Sequence, residues 1–91
     1  MTRVLACVQL IPRGRVMSYG DVAEFVGTRA SRNVGRIMAS EGGGPHWYRV
    51  LRSNGTCAEH IRDEQLRLLE AEGVPIRNDR VNMAAARWDG S

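Results

Sequence analysis

The side chains best placed to do chemistry stand in one run, Pro45-His46-Trp47-Tyr48-Arg49-Val50. The run follows three glycines, Gly42 to Gly44, and leads into Leu51-Arg52-Ser53-Asn54-Gly55. Two adjacent rings after a flexible loop and before a short β pattern can line a pocket. Taken alone, the run favours ordinary core, because aromatic side chains mostly bury area. Nucleophiles are sparse: Cys7 and Cys57 are the two cysteines. They make neither a metal-ligand cluster nor a disulfide framework. Cys7 falls in an apolar helical pattern and reads as a small core residue. Cys57 follows a turn, which predicts partial exposure, and His60 is close by in sequence. Covalent catalysis needs an activated thiolate, and no His–carboxylate set around Cys57 reads as activation. Nothing in the chain calls for a metal or a cofactor.

Charge narrows the partners. The net charge is +3, and it is unevenly spread. In residues 1–58, eight arginines stand against Asp21, Glu24 and Glu41, leaving +5; in residues 59–91, five arginines stand against seven acids, leaving −2. A basic first part points to a polyanion-facing surface there. All thirteen basic residues are Arg. At 91 residues the chain is one small domain, and 43% hydrophobic residues is enough for one core. The longest apolar run, residues 4–11, is too short to cross a bilayer. No leader pattern is present, so a cytoplasmic monomer without membrane contact is expected.

The elements that must position these residues follow from periodicity and punctuation. Residues 2–10 read as a short amphipathic helix with Thr2 as N-cap, ended by Pro12 and Gly14. Ser18 is an N-cap with Asp21 three residues on, a capping-box pattern, so residues 19–26 form a helix that stops at Gly27. A second helix spans residues 30–40, with Ala30, Val34, Ile37 and Met38 on one side. Arg29, Arg32 and Arg36 lie opposite, with Asn33 and Ser40 beside them. Short helix, tight turn, then a helix with an apolar back and an arginine front is a helix-turn-helix pattern. Residues 48–52 and 56–58 read as strands of a hairpin around Asn54-Gly55. Residues 59–72 form a helix with Ile61, Leu66, Leu68 and Leu69 inward, capped by Gly73 and stopped by Pro75. Val81, Met83 and Trp88 are expected to pack back on the core. The fold class is α+β, mostly α, a winged-helix-like helix-turn-helix domain over residues 1–91.

The ordered motifs Ile11-Pro12-x-Gly14-x-Val16-x-Ser18-Tyr19-Gly20-x-Val22-Ala23, Arg32-x-Val34-Gly35-x-x-Met38 and Trp47-x-Arg49-Val50 resemble the DNA-binding domain of O6-alkylguanine-DNA alkyltransferases. That family carries Pro-Cys-His-Arg-Val at its active site. Here Trp47 stands where its Cys would be, which is the mark of the alkyltransferase-like proteins. The resemblance implies binding of O6-alkylguanine in duplex DNA through the minor groove, with base flipping and without repair. Tyr19 resembles the tyrosine that pushes on the phosphate beside the target. Arg32 resembles the arginine finger that fills the vacated stack. Flipping costs a few kcal/mol, and a planar guanidinium offsets part of it. By the same resemblance Trp47, Tyr48, Tyr19 and Arg49 line the lesion pocket. Ser18, Tyr19, Arg29, Ser31, Arg32, Asn33 and Arg36 contact DNA, and the small Ala30, Ser31 and Asn33 permit close approach. Glu72 resembles the family's relay carboxylate. The complex is implied to flag the lesion for nucleotide excision repair proteins.

Chemistry agrees. An indole is no nucleophile at neutral pH, and Tyr48, a phenol with pKa near ~10, stands at the general-base position and is a poor base there. His46 stands where the family usually has Pro, and Tyr48 where it has His. Two other functions fit parts of the chain: a transferase using Cys57 as acceptor, and a plain helix-turn-helix regulator.

Overall fold

A two-stranded parallel ribbon divides the molecule. The structure is a computed structural model and describes residues 3–27, 31–41, 44 and 46–90. Helix α1 is Arg3–Leu10, strand β1 is Met17–Ser18, α2 is Tyr19–Val26 and α3 is Ser31–Glu41. A 3-10 turn, Trp47–Arg49, leads into β2, Val50–Leu51. Another, Glu59–Ile61, leads into α4, Arg62–Ala71. Strands β3, Ile76–Arg77, and β4, Arg80–Val81, precede the short α5, Met83–Ala86. β1 and β2 pair in parallel, Met17 with Val50 and Ser18 with Leu51.

Side chains alternate across a strand, and here that alternation separates two cores. Met17 and Val50 face one cluster with Val4, Cys7, Val8, Ile11, Val22 and Val34, the meeting ground of α1, α2 and α3. Val16 and Leu51 face another with Cys57, Leu66, Leu69, Val74, Val81 and Ala86. The C-terminal segment joins the ribbon's far side: Val16 N–H donates to the Ala86 carbonyl at 2.9 Å, and Trp88 N–H to the Val16 carbonyl at 2.8 Å. Trp88 then packs on the first cluster, and Met83 on the second, as their positions predict.

The helix-turn-helix elements form where caps and faces place them. Ser18 Oγ accepts from Asp21 N–H and the Asp21 carboxylate accepts from Ser18 N–H, both at 3.0 Å, a complete capping box. Gly27 closes α2 in the left-handed region at φ 85°, where glycine carries no Cβ penalty. On α3, Val34 is fully buried, while Arg32, Asn33 and Arg36 are exposed. Thr2, Arg29, Ala30 and the side chain of Ser31 lie outside the described residues.

Three expectations fail. The predicted hairpin of residues 48–52 and 56–58 is absent. Asn54-Gly55 does turn the chain, with Arg52 N–H donating to the Thr56 carbonyl at 3.1 Å. The strand before it takes Met17–Ser18 as partner instead, because that pairing buries Val50 and Leu51 in the two cores. The antiparallel hairpin is β3–β4. Its central residues Asn78 and Asp79 both have positive φ, 54° and 60°, the geometry of a type I′ turn. Cys57 is buried at 4% exposure, not partly exposed, because the turn folds it under Val81 and Leu66. On α4, Leu68 is only half-buried, and the buried inward residue beside Leu66 and Leu69 is Gln65.

Candidate nucleic-acid interface

Tyr19 opens α2 one residue beyond β1, and Arg52 follows β2 by one residue. Extending the register of the ribbon sets them side by side. They share a cleft of about 430 Å³ with Gly20, Ser53 and Asn54. Burial pushes the Tyr19 phenol up, against the pull of the nearby Arg52 charge, so the hydroxyl is neutral at pH 7 and can donate. Across the helix-turn-helix, exposed Arg32, Asn33 and Arg36 share α3. None of these three makes an ion pair among the described residues. The Ser18 hydroxyl, by contrast, is committed to its helix cap and is 4% exposed, so it positions Tyr19 without reaching outward.

The Trp47–Arg49 turn is held from below. Arg49 is 6% exposed. Its Nε donates to Glu72 Oε1 at 3.0 Å, its Nη2 to Glu72 Oε2 at 2.5 Å and its Nη1 to the Ile11 carbonyl at 2.8 Å. Arg49 therefore does not wall an open pocket; it turns inward and ties three segments together. Tyr48 O–H donates to Glu72 Oε2 at 2.6 Å, and Gly14 N–H to Oε1 at 3.1 Å. The Arg49 guanidinium also lies 5.6 Å from the Tyr48 ring centre, within cation–π range. Burial pushes the Glu72 carboxyl up. The hydrogen bonds from Arg49, Tyr48 and Gly14, with the Arg49 charge, outweigh it and hold the pKa down at about 2. Burial and the Glu72 carboxylate push the Tyr48 phenol up. Its proton stays on, aimed at Glu72. Trp47 stands edge-on to Tyr48, ring centres 6.0 Å apart at 89°.

Sequence reasoning missed two braces of this site. Gln65 Nε2 donates to the Tyr48 and Val50 carbonyls, both at 2.9 Å, and fixes the turn to α4. Its signal was a polar residue on the inner face of an amphipathic helix. Asp21, read as a cap alone, also accepts from Arg87 Nε at 2.8 Å and pairs with its Nη2, so the α2 cap and the C-terminal segment share one carboxylate.

The arrangement is a helix-turn-helix whose second helix bears arginines, joined by a ribbon to an aromatic turn. The family model for the 6-O-methylguanine DNA methyltransferase DNA-binding domain matches residues 1–74. The chain belongs to this family. Within it, the chain is an alkyltransferase-like protein. It is 33% identical over 94 residues to the DNA base-flipping protein of Vibrio parahaemolyticus, covering 97% of this chain and 94% of that one. It is 37% identical over 93 residues to the DNA base-flipping protein of Escherichia coli, covering 96% and 72%. Its fold matches the crystal structure of S. pombe Atl1 in complex with damaged DNA containing O6-carboxymethylguanine, with a TM-score of 0.83 and 32% identity over 94% of this chain and 91% of that one. No helix among the described residues is long and apolar enough to cross a membrane.

Proposed function

We propose that this alkyltransferase-like protein recognises O6-alkylguanine in duplex DNA by flipping the base, holds it without repairing it, and so presents it to nucleotide excision repair proteins. The observation that carries the reading is the aromatic turn, in which the Tyr48 proton is committed to Glu72. By the resemblance of the motif, Trp47 and Tyr48 take the places of the family's nucleophile and general base. Arg32, exposed near the start of α3, enters the base stack. Tyr19, at the start of α2, presses on the adjoining phosphate. Arg36, Asn33, Arg29 and Ser31 meet the DNA backbone. Trp47 packs on the alkyl group or the base face. Dispersion and desolvation are weakly directional, so this wall accepts lesions of several sizes. The relatives named for base flipping and the Atl1 complex with damaged DNA support this reading. The protein works as a cytoplasmic monomer with no cofactor.

The competing transferase reading loses its acceptor. Cys57 is buried, and burial raises its thiol pKa despite Arg52 and Arg62. Cys7 is pushed up to about 11 by burial. A protonated, enclosed thiol is a poor nucleophile.

The test is a binding titration at one stated salt with matched duplexes carrying guanine or O6-methylguanine. Tighter binding to the alkylated duplex, with no mass gain on the protein after incubation, is expected. Equal affinity sinks the recognition claim, and an alkyl adduct sinks the non-enzymatic one.

A further inference from the structure

The arginines divide into two sets. Arg49 and Arg87 are paired with Glu72 and Asp21. Arg13 and Arg15 donate to the Ala71 and Ala85 carbonyls, at 3.3 and 3.1 Å. These four brace the fold. Arg52 and Arg80, both exposed, make no hydrogen bond or ion pair through their side chains among the described residues. Arg62 has a carboxylate, Asp63, no nearer than 4.0 Å, and its buried Nε has no hydrogen-bond partner. Arg52, Arg62 and Arg80 line one cleft of about 510 Å³ together with the carboxylates of Glu59 and Asp79. That cleft shares Arg52 and Asn54 with the cleft holding Tyr19. The shared residues join the two into one track that runs from Tyr19 to the β3–β4 hairpin, with no α3 residue in its lining.

The track is built, not accidental. Asn54 Oδ1 accepts from Thr56 N–H at 3.1 Å and from its hydroxyl at 2.7 Å, stiffening the turn that carries Arg52. Gly55 sits at φ +85° with the hairpin packed directly on it; a Cβ there would collide with the Val81 carbonyl and lie 3.0 Å from Arg80 Cγ. Val81 N–H donates to the Gly55 carbonyl at 2.9 Å. This clamp brings Arg80 to Arg52 from 28 residues away in the chain. Three guanidiniums against two carboxylates leave the cleft lining with a net positive charge, and such an arrangement fits a polyanion whose charges follow a line.

We propose that Arg52, Arg62 and Arg80 form a second phosphate-binding surface, which takes the DNA backbone of the bound duplex beyond the phosphate met by Tyr19. This inference rests on the DNA-binding reading and extends its footprint beyond α3 to the β3–β4 hairpin. The contacts are to phosphate, so they position the duplex and carry no information about the base.

The test compares the salt dependence of duplex binding for the full chain and the double variant Arg52→Ala/Arg80→Ala, on matched alkylated and unmodified duplexes. Each lost phosphate contact lowers the slope of log K against log salt by about 0.9, so a fall of about 1.8 is expected. Affinity falls by the same factor on both duplexes, leaving the lesion preference unchanged. Arg52→Lys/Arg80→Lys keeps most of the slope, because a phosphate accepts either cation. Arg67→Ala, on the exposed face of α4, controls for net charge and leaves the slope near wild type. An unchanged slope in the double alanine variant overturns the proposal. A loss confined to the alkylated duplex also overturns it, by placing these arginines in the lesion pocket. Failure of the lesion reading itself shows separately, as equal affinity of the wild-type protein for the two duplexes.

Discussion

At the scale of single residues, Arg32 and Trp47 make the sharpest claims. Arg32→Ala is expected to lose most of the preference for an alkylated duplex while keeping salt-dependent binding to any duplex, because the stacking role proposed for it is specific to the vacated site and the other arginines remain. Competition between matched duplexes checks this; an unaltered preference defeats the finger assignment. Trp47→Cys is expected to give no alkyl transfer, since the neighbouring phenol donates its proton to Glu72 at 2.6 Å and cannot accept one from a thiol. Mass spectrometry after exposure to alkylated oligonucleotide reads the outcome, and a covalent adduct on the introduced thiol would show that another base serves. The paired rings at Trp47 and Tyr48 and the exposure of Arg32 were legible in residue order, because residue type and helical spacing declare them. Arg49 was not: a guanidinium beside two rings reads as pocket lining, and only the fold reveals Glu72 and the Ile11 carbonyl beneath it.

At the scale of elements, local signals suffice where the element depends on itself. Ser18 and Asp21 mark the start of α2 and Gly27 its end, because caps satisfy backbone groups within a few residues. Ser18→Ala should destabilise the fold by about 1 kcal/mol, read as a lower midpoint in urea denaturation with an unchanged m-value. No shift in the midpoint would mean the cap is dispensable. Strands gave less away. Two-residue strands carry little pattern, and the Asn54-Gly55 turn invites a hairpin that the distant Met17–Ser18 segment outcompetes. The hairpin that does form turns on Asn78-Asp79, where two consecutive left-handed residues are tolerated because their short polar side chains favour that region. Asn-Asp is a weaker hairpin signal than Asn-Gly, and it went unread.

At the scale of the molecule, Glu72 is the joint. It gathers Tyr48, Arg49 and the Gly14 amide, and its side chain is 7% exposed. Its pKa falls from 4.5 to about 2 on folding. Between those values the unfolded chain binds more protons than the folded one. Stability therefore rises with pH across that window, is fully present above it, and is lost as pH falls through it. The loss is on the order of 3 kcal/mol. Glu72→Gln should flatten that acid limb while lowering stability at pH 7, because Arg49 is then left buried without its counter-charge. Denaturation midpoints measured from pH 2 to pH 5 test this; an acid limb as steep as wild type would locate the proton uptake elsewhere. The meeting of Glu72 with Tyr48 was implied by the resemblance to the relay carboxylate; that Arg49 and the Gly14 amide join them was beyond reach from sequence, since Gly14 and Glu72 are brought together by the whole chain.

The ribbon has a further consequence, for the order in which the protein comes into being. Strand β1 pairs with residues 50–51, and Val16 just before it bridges to Arg87. A nascent chain that has emerged only through α3 already holds the arginine helix, but lacks Val50 and Trp88, which complete the core behind it. Pairing across such separations is slow relative to helix formation. The surface proposed to read DNA therefore becomes competent only when residues 50–51 and 86–88 arrive, so a ribosome-stalled fragment ending before residue 50 should lack the binding site.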